Sequence, residues 1–220
     1  MIEDKFKLSF KQVNKLVSFI ERMGEDTEIE EPSILHAQII ENFLKVLNKS
    51  CPSSRFKKVL DIGCGSGGAL EELTKYGYDP IGISINKKEV EICKNKGYKA
   101  LLMDQSFLEF EDKTFDIIWA RHVLEHSIMP AYTLQEFKRV LKDDGILYIE
   151  VPSPSTQIVH ENNPYHFSMF TKNVWTALFI KSGFKLVYEN IISFVVPQPN
   201  GKELDDEYIN FYLIKDEQKV

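Results

Sequence analysis

The chain has 220 residues, 43% hydrophobic and 27% charged, which is enough for one well-filled core and too little for two. Its formal net charge of −6 argues against a protein whose main work is gripping nucleic acid. No apolar run approaches bilayer-crossing length, and the charged start Met1-Ile2-Glu3-Asp4-Lys5 lacks the character of a secretion signal, so no membrane role is expected.

Apolar residues at Val13, Leu16, Val17 and Ile20, and again from Ile34 to Leu47, keep helical spacing through the first fifty residues. Residues 1–50 are therefore expected to form a helical cap segment that includes Phe6 and Phe10, with the main domain at 51–220. Two placements stay open for that segment: a lid over a ligand edge, or a helix packed on a sheet. The basic clusters Arg55-Phe56-Lys57-Lys58 and Lys87-Lys88 read as solvated element ends rather than phosphate tracks. Strands are expected at 59–62, 80–84, 100–103, 115–120, 145–151, 184–193 and 208–214, and helices at 67–76, 87–96, 131–141 and 171–182. The last helix has Thr171 as its cap and turns Val174, Leu178 and Phe179 to one side.

One local pattern sets the architecture. Lys75-Tyr76-Gly77-Tyr78, Lys94-Asn95-Lys96-Gly97-Tyr98 and Lys181-Ser182-Gly183-Phe184 each follow a helical stretch and precede a β-rich run. A glycine just past a helix takes the left-handed conformation that ends it, and lysine in the last turn suits the negative end of the dipole. Three such helix-to-strand junctions imply βαβ units, hence an α/β protein with a mostly parallel sheet. Between the last two strands lie only residues 196–207, with Pro197, Pro199 and Gly201 among them. No crossover helix fits there, so that pair is expected to run antiparallel.

Val59-Leu60-Asp61-Ile62-Gly63-Cys64-Gly65-Ser66-Gly67-Gly68 reads as a strand, a glycine-rich turn and a helix start. Such glycines let the backbone pass close to a nucleotide, where a helix N-terminus offers free N–H groups. Gly63, Gly65 and Gly68 also satisfy the G-x-G-x-x-G spacing of dinucleotide dehydrogenases. Asp61 separates the two readings, because a carboxylate there is unfavourable beside a pyrophosphate and favourable beside an ammonium and a sulfonium. Further along, Asp104 and Gln105 close the third strand, where such side chains meet an adenine amino group.

Taken in order, Val59 to Gly68, Phe115 to His126 and Glu136 to Gly145 resemble successive motifs of the class I S-adenosylmethionine-dependent methyltransferases. His166-Phe167-Ser168-Met169-Phe170-Thr171, continuing to Gly183-Phe184, resembles the late segment of the branch that modifies small molecules. The resemblance runs from about Val59 to about Asn190. It implies a Rossmann-like, doubly wound seven-strand sheet, mostly parallel with one antiparallel strand near the edge, and helices on both faces. It also implies S-adenosylmethionine as cofactor, S-adenosylhomocysteine as product, and a small-molecule acceptor such as a sugar or other metabolite hydroxyl. Asp61, Gly63, Cys64, Gly65, Gly67, Ser84, Ile85, Asp104, Gln105, Ala120 and Arg121 would then lie along the cofactor, with Cys64 a small filler inside the turn.

The sequence departs from the family at one place. The family usually ends the second strand with Asp or Glu, which accepts from both ribose hydroxyls, and here that place falls on Ser84. A hydroxyl makes one such bond more weakly, and Asn86 stands next in line for the ribose. Loss of the acid just before Lys87-Lys88 also fits an NADP-dependent oxidoreductase or a catalytically silent cofactor-binding protein of the same fold.

A sulfonium methyl needs an aligned acceptor and exclusion of water, and a hydroxyl acceptor gains from a nearby base. His126 and His166 are the catalytic candidates, with Tyr165 and His122 shaping the acceptor pocket. His160 shares the polar loop 152–168, and His36 is expected only to pack or face solvent. His122-Val123-Leu124-Glu125-His126 also spells H-x-x-E-H. A strand exit soon followed by Pro130 is not the stable helix that a zinc protease requires, so no metal is expected. Cys51, Cys64 and Cys93 are too few and scattered for a disulfide framework, which points to a reducing cytoplasm; Cys93 fits the buried face of its helix.

Overall fold

The computed structural model describes residues 8–26, 29, 35–50 and 56–216. Met1 to Lys5, Phe6, Ile34, Cys51 and Arg55, singled out above, lie outside these residues. Two helices, α1 (Phe10–Asp26) and α2 (Leu35–Ser50), precede the alternating part. That part runs β1 (Lys58–Ile62), α3 (Gly68–Lys75), β2 (Asp79–Ser84), α4 (Lys87–Asn95), β3 (Lys99–Leu102) and β4 (Phe115–Arg121). It continues with α5 (Pro130–Val140), β5 (Leu141–Pro152), α6 (Lys172–Lys181), β6 (Phe184–Pro197) and β7 (Glu203–Lys215).

The strands form one seven-stranded sheet in the order β3-β2-β1-β4-β5-β7-β6. β7 runs antiparallel to both of its neighbours, β5 and β6, and every other neighbouring pair is parallel. The doubly wound sheet with an antiparallel strand next to the edge is therefore present as expected. Gly77, Gly97 and Gly183 hold φ of 80°, 88° and 83°, the left-handed values that the three junctions required. Between β1 and β4 the strand order reverses, and a crevice at the carboxyl ends of the strands opens at such a reversal.

Strand alternation explains why both faces are covered. Along β4, Ile118 and Ala120 point to the face covered by α5 and α6, with Leu134, Phe137, Trp175 and Phe179. Ile117 and Trp119 point to the opposite face, where α2 and α3 bring Ile40, Phe43, Leu47 and Leu73. Trp119 stacks on Tyr148 at 4.3 Å between ring centroids, with Phe43 edge-on to both. α2 thus packs on the sheet as part of the core, whereas α1 lies where its Gly24 touches the backbone of Ile85 after β2.

Three local expectations change. Leu141 opens β5, paired with Phe115, instead of ending α5, because its backbone is extended and its side chain is fully buried. In α6 the buried positions are Trp175 and Phe179, while Val174 is 49% exposed. Thr171 does hold the cap position of that helix, although its hydroxyl makes no capping bond. β6 and β7 also extend toward each other, leaving a short turn at 198–202 closed by Gln198 and Lys202.

Candidate active site

The turn after β1 is fixed by the end of β2. The N–H groups of Gly63 and Cys64 both donate to the Ile83 carbonyl at 2.9 Å, and Gly67 N–H donates to Cys64 O at 2.9 Å. Gly63 and Gly65 take φ of 70° and 49°, conformations that an L side chain adopts only with strain. Lys96 Nζ donates to Ser66 O at 2.7 Å and closes the turn from α4. The turn therefore presents bare backbone to the crevice.

Two cavities meet at this backbone, and Gly63 and Gly65 line both. The smaller, about 20 Å³, is bounded by the 2%-exposed Asp61 carboxylate, Cys64, Arg121 and the His36 ring of α2. The larger, about 600 Å³, has Ile62, Ile83 and Met103 as apolar walls, and Ser84, Glu89, Asp104 and Gln105 as polar ones. Met23 of α1 borders it from above, and His122, His126, Asn163 and Tyr165 mark its far end. A volume of this size suits a nucleoside-sized ligand.

The β2 end of the larger cavity is already hydrogen-bonded in a particular way. Ser84 Oγ donates to Glu89 Oε2 at 2.6 Å and accepts from Asn86 N–H at 2.9 Å. Asn86 Oδ1 accepts from Lys88 N–H at 2.9 Å as the cap of α4. Both residues expected to meet a ribose are thus engaged locally, and the carboxylate on this wall belongs to Glu89, in the first turn of α4. Asp104 accepts from Ser106 N–H at 2.8 Å, and burial raises its carboxyl above the ordinary value.

Beneath the β4 and β5 ends lies a buried chain of charges. Arg121 Nε donates to Glu150 Oε1 at 2.7 Å, and Tyr148 OH donates to Glu150 Oε2 at 2.6 Å. His122 Nε2 lies 3.2 Å from Glu150 Oε1, and its Nδ1 lies 3.7 Å from Glu125 Oε1. Burial works against a charged imidazole, but the two carboxylates outweigh it and lift His122 to about 9. Burial likewise opposes ionised Glu150, yet His122 and Arg121 bring it down to about 2. His122 is a cation held between two anions.

The two histidines expected to serve catalysis are held by backbone. His126 Nδ1 donates to Tyr165 O at 2.9 Å, His166 Nδ1 donates to His160 O at 2.9 Å, and the two rings stand 4.8 Å apart. A carbonyl only accepts, so each ring must carry a proton on Nδ1, and in the neutral form its lone pair lies on Nε2. Ser168 N–H donates to Glu125 O at 2.9 Å and ties the 152–168 loop to the turn after β4. His160 turns away, with Nε2 at 2.9 Å from buried Asp206.

The expected site residues thus gather at one edge, with three exceptions. Among the described residues, Ala120 is fully buried in the core, Gly67 backs onto Cys93 and Tyr98, and the His166 ring stands 4.8 Å from that of His126, so none of the three forms a wall of the two cavities. Residues that sequence reasoning passed over are Glu89, His36, Met23, Glu125 and Glu150. His36 was expected merely to pack or face solvent, and it does pack, its ring standing 3.3 Å from where a Cβ on Gly68 would lie, while also bordering the smaller cavity. Glu150 did carry a signal, as the lone carboxylate within the apolar run Ile146-Leu147-Tyr148-Ile149-Glu150-Val151. Glu89 carried a weaker one, sharing a helix face with Val90 and Cys93.

Residues 31–189 match the family model described as a methyltransferase domain. An uncharacterized methyltransferase of Bacillus subtilis is 29% identical over 156 residues, covering 64% of this chain and 61% of that protein. The 27-O-demethylrifamycin SV methyltransferase of Amycolatopsis mediterranei is 33% identical over 111 residues, covering 44% of this chain and 41% of its own. The chain thus spans less than two thirds of the length of these curated relatives. Among solved structures, a SAM-dependent methyltransferase from Archaeoglobus fulgidus superposes with a TM-score of 0.62 at 19% identity, covering 80% of this chain and 94% of that one.

Proposed function

The chain belongs to the methyltransferase-domain family, and from that premise we propose that it moves a methyl group from S-adenosylmethionine to a hydroxyl of a small molecule. One observation carries the reading: the buried Asp61 carboxylate borders a small cavity whose other wall, Gly63 and Gly65, also borders a nucleoside-sized one. A ligand spanning the two has a cationic end near Asp61 and a nucleoside end between β2 and β3. The bound cofactor supplies an electrophilic methyl on a sulfonium.

The residues then divide the remaining work. Gly63 and Gly65 admit the ligand against the backbone, Asp61 faces its positive end, and Asp104 and Gln105 receive the adenine. Glu89 accepts from the ribose, with the Ser84 hydroxyl orienting its carboxylate. His126 and His166 handle the acceptor's proton, and Tyr165 and His122 shape the acceptor's end. Helix α1, with Met23 above the cavity, serves as the lid that excludes water, so the cap function falls on this part of residues 1–50. The hydroxyl preference is supported by the rifamycin-modifying relative, whose name places its methyl on oxygen.

The oxidoreductase alternative finds no support at the ribose wall. A 2′-phosphate placed there would meet the Glu89 carboxylate at close range. Among the described residues, no helix is long and apolar enough to cross a membrane. The free thiols of Cys64 and Cys93, 4.0 Å apart, support a reducing compartment such as the cytoplasm. Thermal unfolding with each ligand tests the reading. S-adenosylhomocysteine should raise the melting temperature and NADPH should not; the reverse result rejects it.

A further inference from the structure

At the far end of the larger cavity, His126 lines the wall and stands beside two further donor groups, Glu125 and His166, a cluster that the proposed reaction uses only in part. Ligand atoms of Glu125, His126 and His166 all lie within 4.8 Å of one another. Donors around one ion at about 2.1 Å stand about 3–4 Å apart, so the three groups must draw somewhat closer to share one ion. The two imidazoles are prepared for it. Each donates Nδ1–H to a carbonyl, from Tyr165 and from His160, which fixes the tautomer and turns the Nε2 lone pair outward. That outer bond is the usual partner of a metal-ligating histidine.

Glu125 supplies the independent sign. Its side chain is 1% exposed, and among the described residues neither carboxylate oxygen has a hydrogen-bond partner. The His122 ring is the cation beside it, with Nδ1 at 3.7 Å, too far for a hydrogen bond, and that ring is also drawn to Glu150 at 3.2 Å. A buried carboxylate with open lone pairs, held by His122 only beyond hydrogen-bond distance and set beside two imidazoles, has lone pairs left for a metal cation. The H-x-x-E-H spacing is not the basis of this set: His122 is held by Glu150, and the third donor, His166, arrives from the loop tied down by Ser168.

We propose that Glu125, His126 and His166 bind a first-row divalent cation at the acceptor end of the cavity. Two imidazoles and one carboxylate suit zinc, iron, manganese or cobalt rather than calcium or magnesium. With three protein donors, the remaining positions open toward the cavity, which His126 and Tyr165 line. They fit an acceptor whose hydroxyl has a second oxygen beside it, as in a catechol or an α-hydroxy carbonyl compound. A cation holding that hydroxyl lowers its pKa, and with both imidazole lone pairs then on the cation the proton passes to water instead of to His126 or His166, while the electron pair stays on the oxygen. This last role rests on the proposed methyl transfer; the binding of the cation does not.

Cobalt(II) titrated into the chelator-stripped full chain gives a visible absorption spectrum that reports nitrogen and oxygen ligation. The expected result is one cobalt per chain, displaced by zinc, with affinity falling at least about tenfold in His126→Ala and in His166→Ala. Cooperative thermal unfolding shows that each variant is folded, and the isosteric Glu125→Gln gives the same loss without removing packing. Absence of a cobalt spectrum, or a titration unchanged in all three variants, overturns the site. S-adenosylhomocysteine binding by the same preparation keeps the two proposals apart. Its loss alongside an intact cobalt site would refute the methyl-donor reading and leave the cation in place.

Discussion

The two halves of the crevice are built from different materials. On the β1–β2 side the shape is backbone: left-handed glycines, two N–H bonds to Ile83 O and the first turn of α3. On the β4–β5 side the shape is charge: Arg121, Glu150, His122 and Glu125 alternate in sign in a largely buried region. A backbone-built wall is specified by a few neighbouring residues and tolerates little change of shape. A charge-built wall depends on every member being present, because each buried ion is offset only by its partners.

The largest effect is therefore expected from removing the centre of the charge chain. Glu150 is fully buried and shared by Arg121, His122 and Tyr148. Glu150→Ala leaves two cations facing each other, and should cost about 3–5 kcal/mol of folding stability in denaturant unfolding. A loss under about 1 kcal/mol would show that the network is a bystander.

Next in size is a pH effect confined to this half. His122 is raised to about 9 when folded, above its ordinary 6.5, so its contribution is fully present below about 6.5 and is lost as pH rises through about 9. Glu150 has the opposite sense: lowered to about 2 from 4.5, it contributes above about 4.5 and that contribution is lost as pH falls through about 2. Melting temperature should accordingly fall between about pH 6.5 and about pH 9. His122→Asn should abolish this slope, since asparagine tolerates the φ of 52° found at His122. An identical slope in the variant assigns the titration to another group.

The same contrast explains what was legible in the sequence. The parallel order, the three left-handed junctions and the glycine turn are each encoded within a few consecutive residues, so pattern and propensity reach them. The antiparallel pair β6–β7 was legible from the short Pro- and Gly-bearing link, but its length was not, because pairing extends strands beyond their apolar runs. The β4–β5 side joins residues distant in sequence: His126 to Tyr165, Glu125 to Ser168, Arg121 to Glu150. Its residue types were visible and their partners were not. Glu89 escaped for a related reason. A carboxylate in an exposed-looking helix turn reads as solvated until the Ser84 hydroxyl is seen bonded to it.

A smaller effect is expected on the backbone-built side, where Glu89 is, with Asp61, a charged exception. Glu89→Gln keeps the shape and removes the charge, and S-adenosylhomocysteine affinity should fall about tenfold, or about 1.4 kcal/mol. Calorimetric titration reads this directly. An unchanged dissociation constant would take the ribose off α4.

The smallest effect is the most discriminating. Restoring the family's strand-end acid by Ser84→Asp should tighten binding if the strand end itself receives the ribose. The geometry argues otherwise, since the Ser84 hydroxyl already lies 2.6 Å from Glu89 Oε2, and an aspartate there sets two carboxylates against each other. One carboxylate then has to take up a proton or swing away, and binding should weaken by about two- to fivefold. Combining Ser84→Asp with Glu89→Gln removes the repulsion while leaving one acid at the wall. Affinity in the double variant should therefore exceed that of either single variant, a non-additivity that two independent sites would not produce. If Ser84→Asp alone binds more tightly than the unaltered chain, the ribose belongs to the strand end, and Glu89 serves only to hold the turn.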